Sequence, residues 1–538
     1  MAFADVLEQV GGTGRFQALH VVLLSAPMLL AASHNLLQNF AAAVPVHRCR
    51  APANLSRLAL DARGRPAPCH RFAPPRWNRS HNGSDPGLEA CRDGWEYDLS
   101  EMSSTVITEW DLVCDLRSLK QMGQTIYMGG VLVGAGVFGS LSDRFGRKWL
   151  MLSAHLLLAV SGTCAAFSPT FPAFCVFRFV CGMALSGIML NSFSLTLEWI
   201  PTRVRTLIGM GTGYCYTIGQ LILAGVAYVI RDWRWLTLAV SVPFYVSFLY
   251  SCWLLESARW LVVNGQTDVA VRNLQQVARI NGRKEECNKI NSEMLQAAMQ
   301  KEISSTKSSH TALDLLRTPG MRRMTAFLSC AWFSTSFAYY GLSMDLQKFG
   351  VGIYLIQVIF GAVDIPAKLL IMATMSTLGR RPSLSGALTF AGTAVLANLL
   401  VPHDLQTLRT CLAVLGKGCL AASFQCCYLY SAELYPTVIR QNGMGWVSMM
   451  ARLGAMVAPL VQLLGEFRFF LPGLIYGGAP VVSGIIAAFL PETLAVALPD
   501  TIQDVEERAQ GQKAAKAPPK KEELVLKEVK HSLLKEAI

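Results

Sequence analysis

Long apolar segments alternate with short polar ones along most of the chain. A helix needs about twenty apolar residues to cross roughly 30 Å of hydrocarbon. Windows of that length recur at residues 17–43, 121–141, 149–168, 171–197, 205–230, 235–255, 324–345, 350–376, 382–402, 405–431, 441–464 and 469–490. The pattern predicts an all-α polytopic membrane protein with twelve transmembrane helices, counted below as spans 1 to 12.

The composition supports a membrane protein. The chain of 538 residues is 52% hydrophobic and only 16% charged, whereas soluble domains carry about 25% charged residues. A net charge of +12 is compatible with nucleic-acid binding, but the basic residues lie between apolar runs too long for a soluble core. We therefore expect membrane lipid, and no nucleic acid, as the partner of this charge.

One polar segment, residues 44–120, has the composition of an extracellular loop. It contains four cysteines and three sequons for N-linked glycosylation. These are Cys49, Cys69, Cys91 and Cys114, and Asn54, Asn78 and Asn82. Both features are typical of an oxidising compartment, where four cysteines form two disulfides with three possible pairings. We expect a disulfide-bonded glycoprotein.

The apolar stretch from Val21 to Ala32 has two interpretations. A cleaved secretory signal peptide would begin with basic residues. Here Asp5 and Glu8 stand against Arg15 in the first fifteen residues. The sequence therefore favours an uncleaved first transmembrane helix.

Arginine and lysine in the short loops predict the orientation, because they concentrate on the cytoplasmic side. The loops after spans 3, 5, 9 and 11 are poor in these residues, whereas the loops after spans 2, 4, 8 and 10 are rich in them. The rich loops carry Arg144, Arg147, Lys148, Arg203, Arg205, Arg380, Arg381 and Arg440. This places both termini in the cytoplasm and residues 44–120 outside the plasma membrane.

The same pattern divides the chain into five parts. They are a cytoplasmic N-terminus (1–16), an N-terminal six-helix bundle (17–255), a cytoplasmic linker (256–323), a C-terminal six-helix bundle (324–490) and a cytoplasmic tail (491–538). Alternating charge in the linker predicts short amphipathic helices. The charged tail, which contains Pro518 and Pro519, is expected to be solvated and disordered.

Three motifs recur at nearly one offset, which indicates a duplicated half. Gly146-Arg147 is repeated as Gly379-Arg380, 233 residues later. The frames Glu198-x-x-Pro201-Thr and Glu433-x-x-Pro436-Thr differ by 235 residues, and Glu256-Ser257 and Glu492-Thr493 differ by 236. One duplication explains all three pairs.

The segment Gly139-Ser-Leu-Ser-Asp-Arg-Phe-Gly-Arg-Lys148 resembles the loop motif of the major facilitator superfamily. The resemblance implies a cytoplasmic charge network that holds the two halves together when the carrier opens outward. Ion pairs at helix ends suit this role, since they can form in one state and break in the other. The expected members are Asp143, Arg144, Arg147, Glu198, Arg203, Arg205, Glu256, Arg259, Arg380, Arg381, Glu433 and Arg440.

Further motifs resemble solute carrier family 22, whose members move organic anions, cations or zwitterions. They are Glu256-Ser-Ala-Arg-Trp-Leu261, Asp111-Leu-Val-Cys114 and the cysteine-rich loop. Leu255 is a departure, because the family usually has proline there. The motifs Leu346–Gly350 and Gly416–Cys419 resemble the organic anion transporter branch.

This resemblance implies a secondary active transporter that works by alternating access. It further implies an antiporter that takes up small organic anions in exchange for an intracellular dicarboxylate such as 2-oxoglutarate. No bound cofactor is expected.

Two cations lie inside predicted spans of the second half, where ionisable residues are costly and usually functional. Lys368 lies in span 8 and Arg452 in span 11. Arginine offers a planar fork and lysine a point charge for carboxylates. The alternative for Lys368 is structural, since Asp364 lies four residues earlier on the same helical face and could neutralise it.

Aromatic side chains suit the apolar part of an amphipathic anion. Trp332 and Tyr339 are candidates from span 7. By resemblance, the family lines its pocket at Tyr216, Tyr340, Phe424 and Tyr428, and at Asn35 and Asn39 of span 1.

Motifs for other chemistry are not found in the sequence. It lacks a Walker loop, a His-Glu-x-x-His zinc motif and a Gly-x-Ser-x-Gly elbow, so we expect neither an enzyme nor a metal site. Two alternatives stay open, namely an organic cation or zwitterion carrier of the same fold, and a non-transporting membrane receptor or scaffold.

Overall fold

The computed structural model describes residues 3–50, 68–72, 88–91, 93–283, 285, 289–307, 313–344, 346–402, 404–436, 438–494, 496, 499 and 502–516. Twelve helical spans form the body of this described part. They are Arg15–Leu36 with Gln38–Ala41 (span 1), Ser118–Phe145 (2), Arg147–Ala166 (3), Phe171–Glu198 (4), Thr202–Val229 (5), Trp233–Ser241 with Pro243–Ser251 (6), Pro319–Ser343 (7), Ile353–Thr377 (8), Arg380–Leu400 (9), Gln406–Leu434 (10), Arg440–Gln462 (11) and Leu471–Ala487 (12).

Within the described residues, nine helices are long and apolar enough to cross a membrane, and span 12 is a shorter apolar helix. Span 6 is divided into two helices at Val242. Pro243 lacks a backbone N–H and therefore starts a helix more readily than it continues one. Span 7 begins at Pro319, five residues before the predicted 324. The hydropathy pattern placed the start too late because the first turn of this helix is polar.

The duplication is visible in how the helices pack. Gly219 of span 5 lies against the carbonyl oxygen of Leu29 in span 1, and Gly454 of span 11 lies against that of Phe333 in span 7. These glycines are 235 residues apart, the same offset as the repeated Glu-x-x-Pro frame. Glycine permits this close backbone approach between membrane helices. Each half therefore joins its first and fifth spans in the same way.

The Gly-Arg motifs form equivalent turns before spans 3 and 9. Gly146 has a φ of 95° and Gly379 a φ of 105°. Positive φ in this range favours glycine, which has no Cβ. A Cβ at Gly146 would also clash with Glu256, and one at Gly379 with Glu492. Both the conformation and the space therefore require glycine.

Residues before span 2 form a small disulfide-bonded unit. The disulfides are Cys49–Cys91 and Cys69–Cys114, which selects one of the three pairings. Two antiparallel strand pairs accompany them, His47–Cys49 with Trp95–Tyr97 and His70–Phe72 with Leu88–Ala90. We call this side of the bundle the disulfide end, and the side with Gly146 and Gly379 the motif end. The sequons at Asn54, Asn78 and Asn82 lie outside the described residues.

The disulfide-bonded unit is attached to the first half. Arg234 of span 6 forms an ion pair with Glu109 at 2.9 Å. The Ser103 backbone nitrogen donates to the Arg231 carbonyl oxygen at 2.9 Å. Ion pair and backbone contact together fix the unit over spans 5 and 6.

A layer of short helices covers the motif end of the first half. These helices are Phe3–Gln9, Ala258–Val263, Thr267–Ile280 and Ser292–Lys307, with Asp314–Arg317 leading into span 7. Val6 of the N-terminal helix and Val10 just after it are buried in one hydrophobic cluster with Leu274 and Val277. The N-terminus is therefore packed on the linker.

The expectation of a wholly disordered tail is wrong for residues 502–516, which form the helix Ile502–Lys516. Val505 is buried in the core of the second half. Glu506 accepts hydrogen bonds from the backbone nitrogens of Gly320 at 2.7 Å and Met321 at 3.1 Å. This part of the tail caps the free N–H groups at the start of span 7 and packs against the beginning of that helix.

Candidate functional site

Arg452 lies in the middle of span 11. Its Nη1 donates to the Ser448 hydroxyl, one turn earlier, at 2.8 Å. Tyr340 and Tyr428 are its electrostatic neighbours. The partners are thus neutral groups, which leaves the positive charge of the guanidinium available for an anion.

Lys368 of span 8 reaches across to the other half. Its Nζ donates to the Gly213 carbonyl oxygen at 2.8 Å and to the Thr217 hydroxyl at 2.9 Å, both in span 5. A Cβ placed on Gly213 would lie 3.8 Å from Lys368 Nζ and 3.2 Å from Gln425 Oε1 of span 10. Three spans from both halves therefore meet at this ammonium.

The charge of Asp364 acts on Lys368, but the ion pair that Asp364 forms is with another lysine. Both Asp364 carboxylate oxygens lie 2.7 Å from the Nζ of Lys417 in span 10. The two side chains are 1% and 0% exposed, so the pair is fully buried. Gln220 of span 5 donates to Asp364 at 3.4 Å. The carboxylate is therefore neutralised by Lys417, which lies on a different helix and cannot be identified from the spacing of residues in span 8.

A chain of aromatic rings lines spans 7 and 10. Trp332 packs on Tyr428 at 5.6 Å and on Phe424 at 6.1 Å between ring centroids. Tyr339 packs on Phe424 at 5.3 Å and on Tyr340 at 5.4 Å. These edge-to-face contacts fix the rings relative to one another. The structure thus brings five predicted aromatic residues into one wall.

The ends of this wall differ in their surroundings. Tyr428 is 47% exposed, and its ring meets Phe193 of span 4 at 5.7 Å. Tyr339 is buried and accepts a hydrogen bond from Gln220 at 3.1 Å. Trp332 donates to the Ser431 hydroxyl at 2.8 Å. Tyr428 is therefore the ring most accessible to a ligand.

The predicted asparagines of span 1 have separate partners. Asn35 donates to the Tyr216 hydroxyl at 3.2 Å and accepts from the Tyr127 hydroxyl at 2.7 Å, which orients Tyr216 toward span 7. Asn39 donates to the Ser343 carbonyl oxygen at 2.7 Å. Asn39 thus joins the two halves, whereas Asn35 belongs with the aromatic residues.

The halves are held together at the disulfide end. Gln347 accepts from the Val44 nitrogen at 3.0 Å and donates to its carbonyl oxygen at 2.9 Å. Arg117 forms an ion pair with Glu466 at 2.7 Å. Val44 and Arg117 belong to the first half, whereas Gln347 follows span 7 and Glu466 follows span 11. The two halves are therefore joined on this side.

At the motif end, the ion pairs of Arg147 and Arg380 each lie within one half. Arg147 binds Asp143 at 3.1 Å and Glu198 at 3.3 Å. Arg380 binds Glu433 at 3.0 Å. Contacts between the halves at the disulfide end, together with these separate clusters, favour a carrier that opens toward the motif end. The bridging form of the network, implied by resemblance for the opposite state, stays a prediction.

Two glutamates cap helices at the motif end. Glu256 accepts from the backbone nitrogens of Arg147 at 3.2 Å and Lys148 at 3.0 Å, and Glu492 accepts from those of Arg380 at 2.9 Å and Arg381 at 3.1 Å. Burial raises the pKa of Glu256, and Glu198 acts in the same direction. Burial also acts to raise the pKa of Glu492, but backbone hydrogen bonds outweigh it and lower that pKa.

Some of the remaining predicted network residues have described contacts close to them in sequence. The Arg144 guanidinium lies 5.4 Å from the Phe145 ring centroid. Arg205 donates to the Ile200 carbonyl oxygen at 3.4 Å, and Arg440 donates to that of Tyr435 at 3.1 Å. Arg259 lies in the helix Ala258–Val263. The side chain of Arg203 lies outside the described residues.

Two buried cations were not predicted as site residues from the sequence. Lys417 lies in span 10, and Arg178 of span 4 donates to the His34 carbonyl oxygen at 3.1 Å and stacks over Tyr127 at 4.0 Å. A search of every apolar window for charged residues would have found both.

The chain is similar along its length to known carriers. The family model described as "Sugar (and other) transporter" matches residues 92–502. "Solute carrier family 22 member 6" of Danio rerio is 64% identical over 560 aligned residues, with 100% of both chains covered. The chain belongs to solute carrier family 22. Another relative of this family 22 carrier is "Solute carrier family 22 member 20" of Mus musculus, at 50% identity over 100% of both chains.

Solved structures show the fold of the family 22 carrier. The inward open conformation of the xylose transporter XylE from E. coli is 17% identical, with a TM-score of 0.62, and the match covers 91% of this chain and 98% of that chain. A partially occluded inward open conformation of XylE has a TM-score of 0.59 at 17% identity and covers 88% and 97%. The predicted major facilitator fold and the family resemblance are confirmed. The chain is a multi-pass membrane transporter and not an enzyme.

Proposed function

We propose that this protein carries organic anions across the plasma membrane by alternating access, in exchange for an intracellular dicarboxylate. The observation that carries the proposal is the pair Arg452 and Lys368. Both are cations inside membrane spans, and both bind neutral groups of the protein. A buried positive charge that no carboxylate of the described residues hydrogen-bonds favours a negatively charged ligand.

The surroundings of Arg452 favour aryl carboxylates. Its guanidinium can bind both oxygens of a carboxylate, and Tyr340 and Tyr428 flank it. The ring wall from Trp332 to Tyr339 offers an apolar surface of aromatic size. An anion with a flat hydrophobic body would satisfy both parts of the site.

The position of Lys368 supports exchange. In this state its ammonium joins span 8 to span 5 through Gly213 and Thr217. A dicarboxylate entering from the motif end would compete for the same ammonium and weaken this link between the halves. The loaded carrier would then turn outward more readily than the empty one, which is the kinetic requirement for exchange.

The pairing of Asp364 disfavours the cation carrier. A cation or zwitterion carrier needs an acid that faces the cavity, and Asp364 was the candidate from the sequence. Its carboxylate binds Lys417 and is 1% exposed. A quaternary ammonium would have to displace a buried lysine from it, which costs far more than binding a free acid.

The plasma-membrane location is supported by the disulfide-bonded unit. Two disulfides and three sequons in the same polar segment suit a segment exposed outside the cell. With the disulfide end outside, the motif end faces the cytoplasm, and the structure faces inward. Labelling of intact cells with an impermeant biotin reagent, followed by glycosidase treatment, tests this orientation.

Transport in liposomes tests the function. The purified full-length chain is reconstituted with or without internal 2-oxoglutarate, and uptake of a radiolabelled aryl carboxylate is measured. We expect uptake that rises with the internal dicarboxylate and is inhibited by an unlabelled aryl carboxylate, but not by tetraethylammonium. No uptake under either condition, with binding retained, would instead favour the receptor.

The cation at position 452 is tested with a matched control. Arg452→Lys keeps the charge but loses the planar fork, so uptake clearance should fall by roughly tenfold. Arg468→Lys makes the same change at an exposed position after span 11 and should leave uptake unchanged. Equal clearance for both variants, at equal protein density, would place the carboxylate contact elsewhere.

A further inference from the structure

One carboxylate lies within reach of two lysines at the centre of the second half. Asp364 and Lys368 are one helical turn apart in span 8, a spacing at which opposite charges normally interact. The carboxylate nevertheless binds Lys417 of span 10, with both oxygens 2.7 Å from its Nζ. Lys368 binds Gly213 and Thr217 instead. The two lysines and the carboxylate together carry one positive charge in excess. Asp364 is hydrogen-bonded to Lys417 and acts on Lys368 only through its charge in the described contacts.

Lys417 is fully engaged with the protein. Besides Asp364, its ammonium donates to the Phe360 carbonyl oxygen at 2.7 Å and to Gln220 Oε1 at 3.4 Å. Three N–H groups thus meet three acceptor residues. The side chain is 0% exposed, and Nζ lies 5.0 Å from the Tyr339 ring centroid. Lys417 is therefore closed to substrate, whereas Lys368 keeps N–H capacity beyond its two described bonds.

Gln220 holds the carboxylate on the side of Lys417. Its Nε2 donates to Asp364 Oδ2 at 3.4 Å and to the Tyr339 hydroxyl at 3.1 Å, while its Oε1 accepts from Lys417. One amide thus contacts the acid, the base and a ring of the aromatic wall. The ion pair and the wall are parts of one network, in which removal of a member redirects the others.

We propose that Lys417 is a positioning residue for anion recognition, which holds Asp364 away from Lys368 and so leaves the charge of Lys368 to the substrate. This inference rests on the proposed function. Without the ammonium of Lys417, the nearest cation for Asp364 is Lys368 on its own helix. The carboxylate would then neutralise the residue that the substrate needs.

The test compares the effect of Lys368→Met in three backgrounds of the full-length chain. These are the wild type, Lys417→Met, and the double variant Asp364→Asn/Lys417→Met. Uptake clearance and KM for a labelled aryl carboxylate are measured at surface densities determined by biotinylation. Lys368→Met should lower clearance by roughly tenfold in the wild type. In the Lys417→Met background it should change clearance by less than about twofold, because Lys368 is already neutralised there.

The double variant separates positioning from a merely structural role. It removes both charges of the buried pair, so Lys368 is free again and Lys368→Met should recover roughly its wild-type effect. An undiminished effect of Lys368→Met in the Lys417→Met background overturns the inference. A second outcome also overturns it, namely a Lys417→Met protein that stays inside the cell while the double variant reaches the surface. Retention of the single variant alone would mean that Lys368 does not neutralise the unpaired Asp364. Failure of the wild type to take up anions would refute the proposed function itself.

Discussion

Glu492 accepts a hydrogen bond from the backbone nitrogen of Arg380 at 2.9 Å, and it comes from the segment that follows the last span of its half. Glu256 makes the equivalent contact with Arg147 at 3.2 Å in the first half. A carboxylate at a helix N-terminus is stabilised by free N–H groups and by the helix dipole. The duplication therefore preserved a helix cap as well as a charge motif.

The two caps should respond oppositely to acid. Because the pKa of Glu492 is lowered, its ionised form contributes stability at neutral pH, which is lost as pH falls through the lowered value. Because the pKa of Glu256 is raised, its ionised form costs stability at neutral pH, and acidification relieves that cost. At pH 7, Glu492→Gln should weaken the folded state by about 1 kcal/mol, and Glu256→Gln by less.

Thermal unfolding in detergent between pH 3 and pH 8, followed by tryptophan fluorescence, measures the difference between the two variants. This difference should shrink at the acid end, where Glu492 also becomes protonated. The two variants serve as controls for each other. Equal losses at pH 7 would contradict the opposite pKa shifts.

The ion pair at the disulfide end should set how often this end opens. Arg117→Glu places two acids where Arg117 and Glu466 now lie 2.7 Å apart. The lost ion pair and the repulsion between the two carboxylates should raise the population of the form that is open at the disulfide end by about fivefold. A cysteine introduced by Ser343→Cys, at a site that is 3% exposed, should then react faster with an impermeant maleimide from the disulfide side.

The charge reversal Arg117→Glu/Glu466→Arg restores the pair and should return the labelling rate of Ser343→Cys to its original value. The chain without the introduced cysteine gives the background from native thiols. A rate that is unaffected by Arg117→Glu would show that the pair does not control this opening.

Asn281 should anchor the N-terminal segment. Its amide donates to the carbonyl oxygens of Val10 and Gly11 and to Gln17, and it accepts from the Phe16 nitrogen. Asn281→Ala leaves these groups without partners, at a cost of about 2 kcal/mol. Hydrogen exchange in residues 3–16 should become faster. Asn264→Ala, which removes one exposed hydrogen bond to Trp260, should leave that exchange unchanged.

Glu506 should hold the helix Ile502–Lys516 against span 7. Glu506→Ala removes the acceptor for the Gly320 and Met321 nitrogens, so their exchange should accelerate by about fivefold, the equivalent of about 1 kcal/mol. Exchange in residues 502–516 should rise with it. Glu507→Ala changes an exposed neighbour in the same helix and is the matched control. Unchanged exchange at Gly320 would show that water replaces the cap without cost.

Hydropathy and repeated motifs predicted the spans well because both depend on local sequence. The division of span 6 at Val242 also has a local signal, Pro243. The helix Ile502–Lys516 was missed, because a polar composition alone does not reveal that Val505 and Glu506 dock on span 7. Docking depends on a distant surface, which a single window of sequence does not contain.

The site was predicted in part. Arg452 and Lys368 stand out as charges in apolar windows. The partner of Asp364 does not, since spacing within one helix favours Lys368, and only the packing of span 10 against span 8 brings Lys417 to 2.7 Å. The cysteine pairing was likewise beyond the sequence, which permits three arrangements. Contacts between distant elements are decided by tertiary packing, and the sequence pattern carries little information about them.

The turns at Gly146 and Gly379, with φ of 95° and 105°, limit which residues these two positions can accept. Alanine, the smallest replacement, would be strained in this backbone conformation and would push the capping glutamate off the helix that follows. Saturation mutagenesis selected for function should therefore return glycine at both positions.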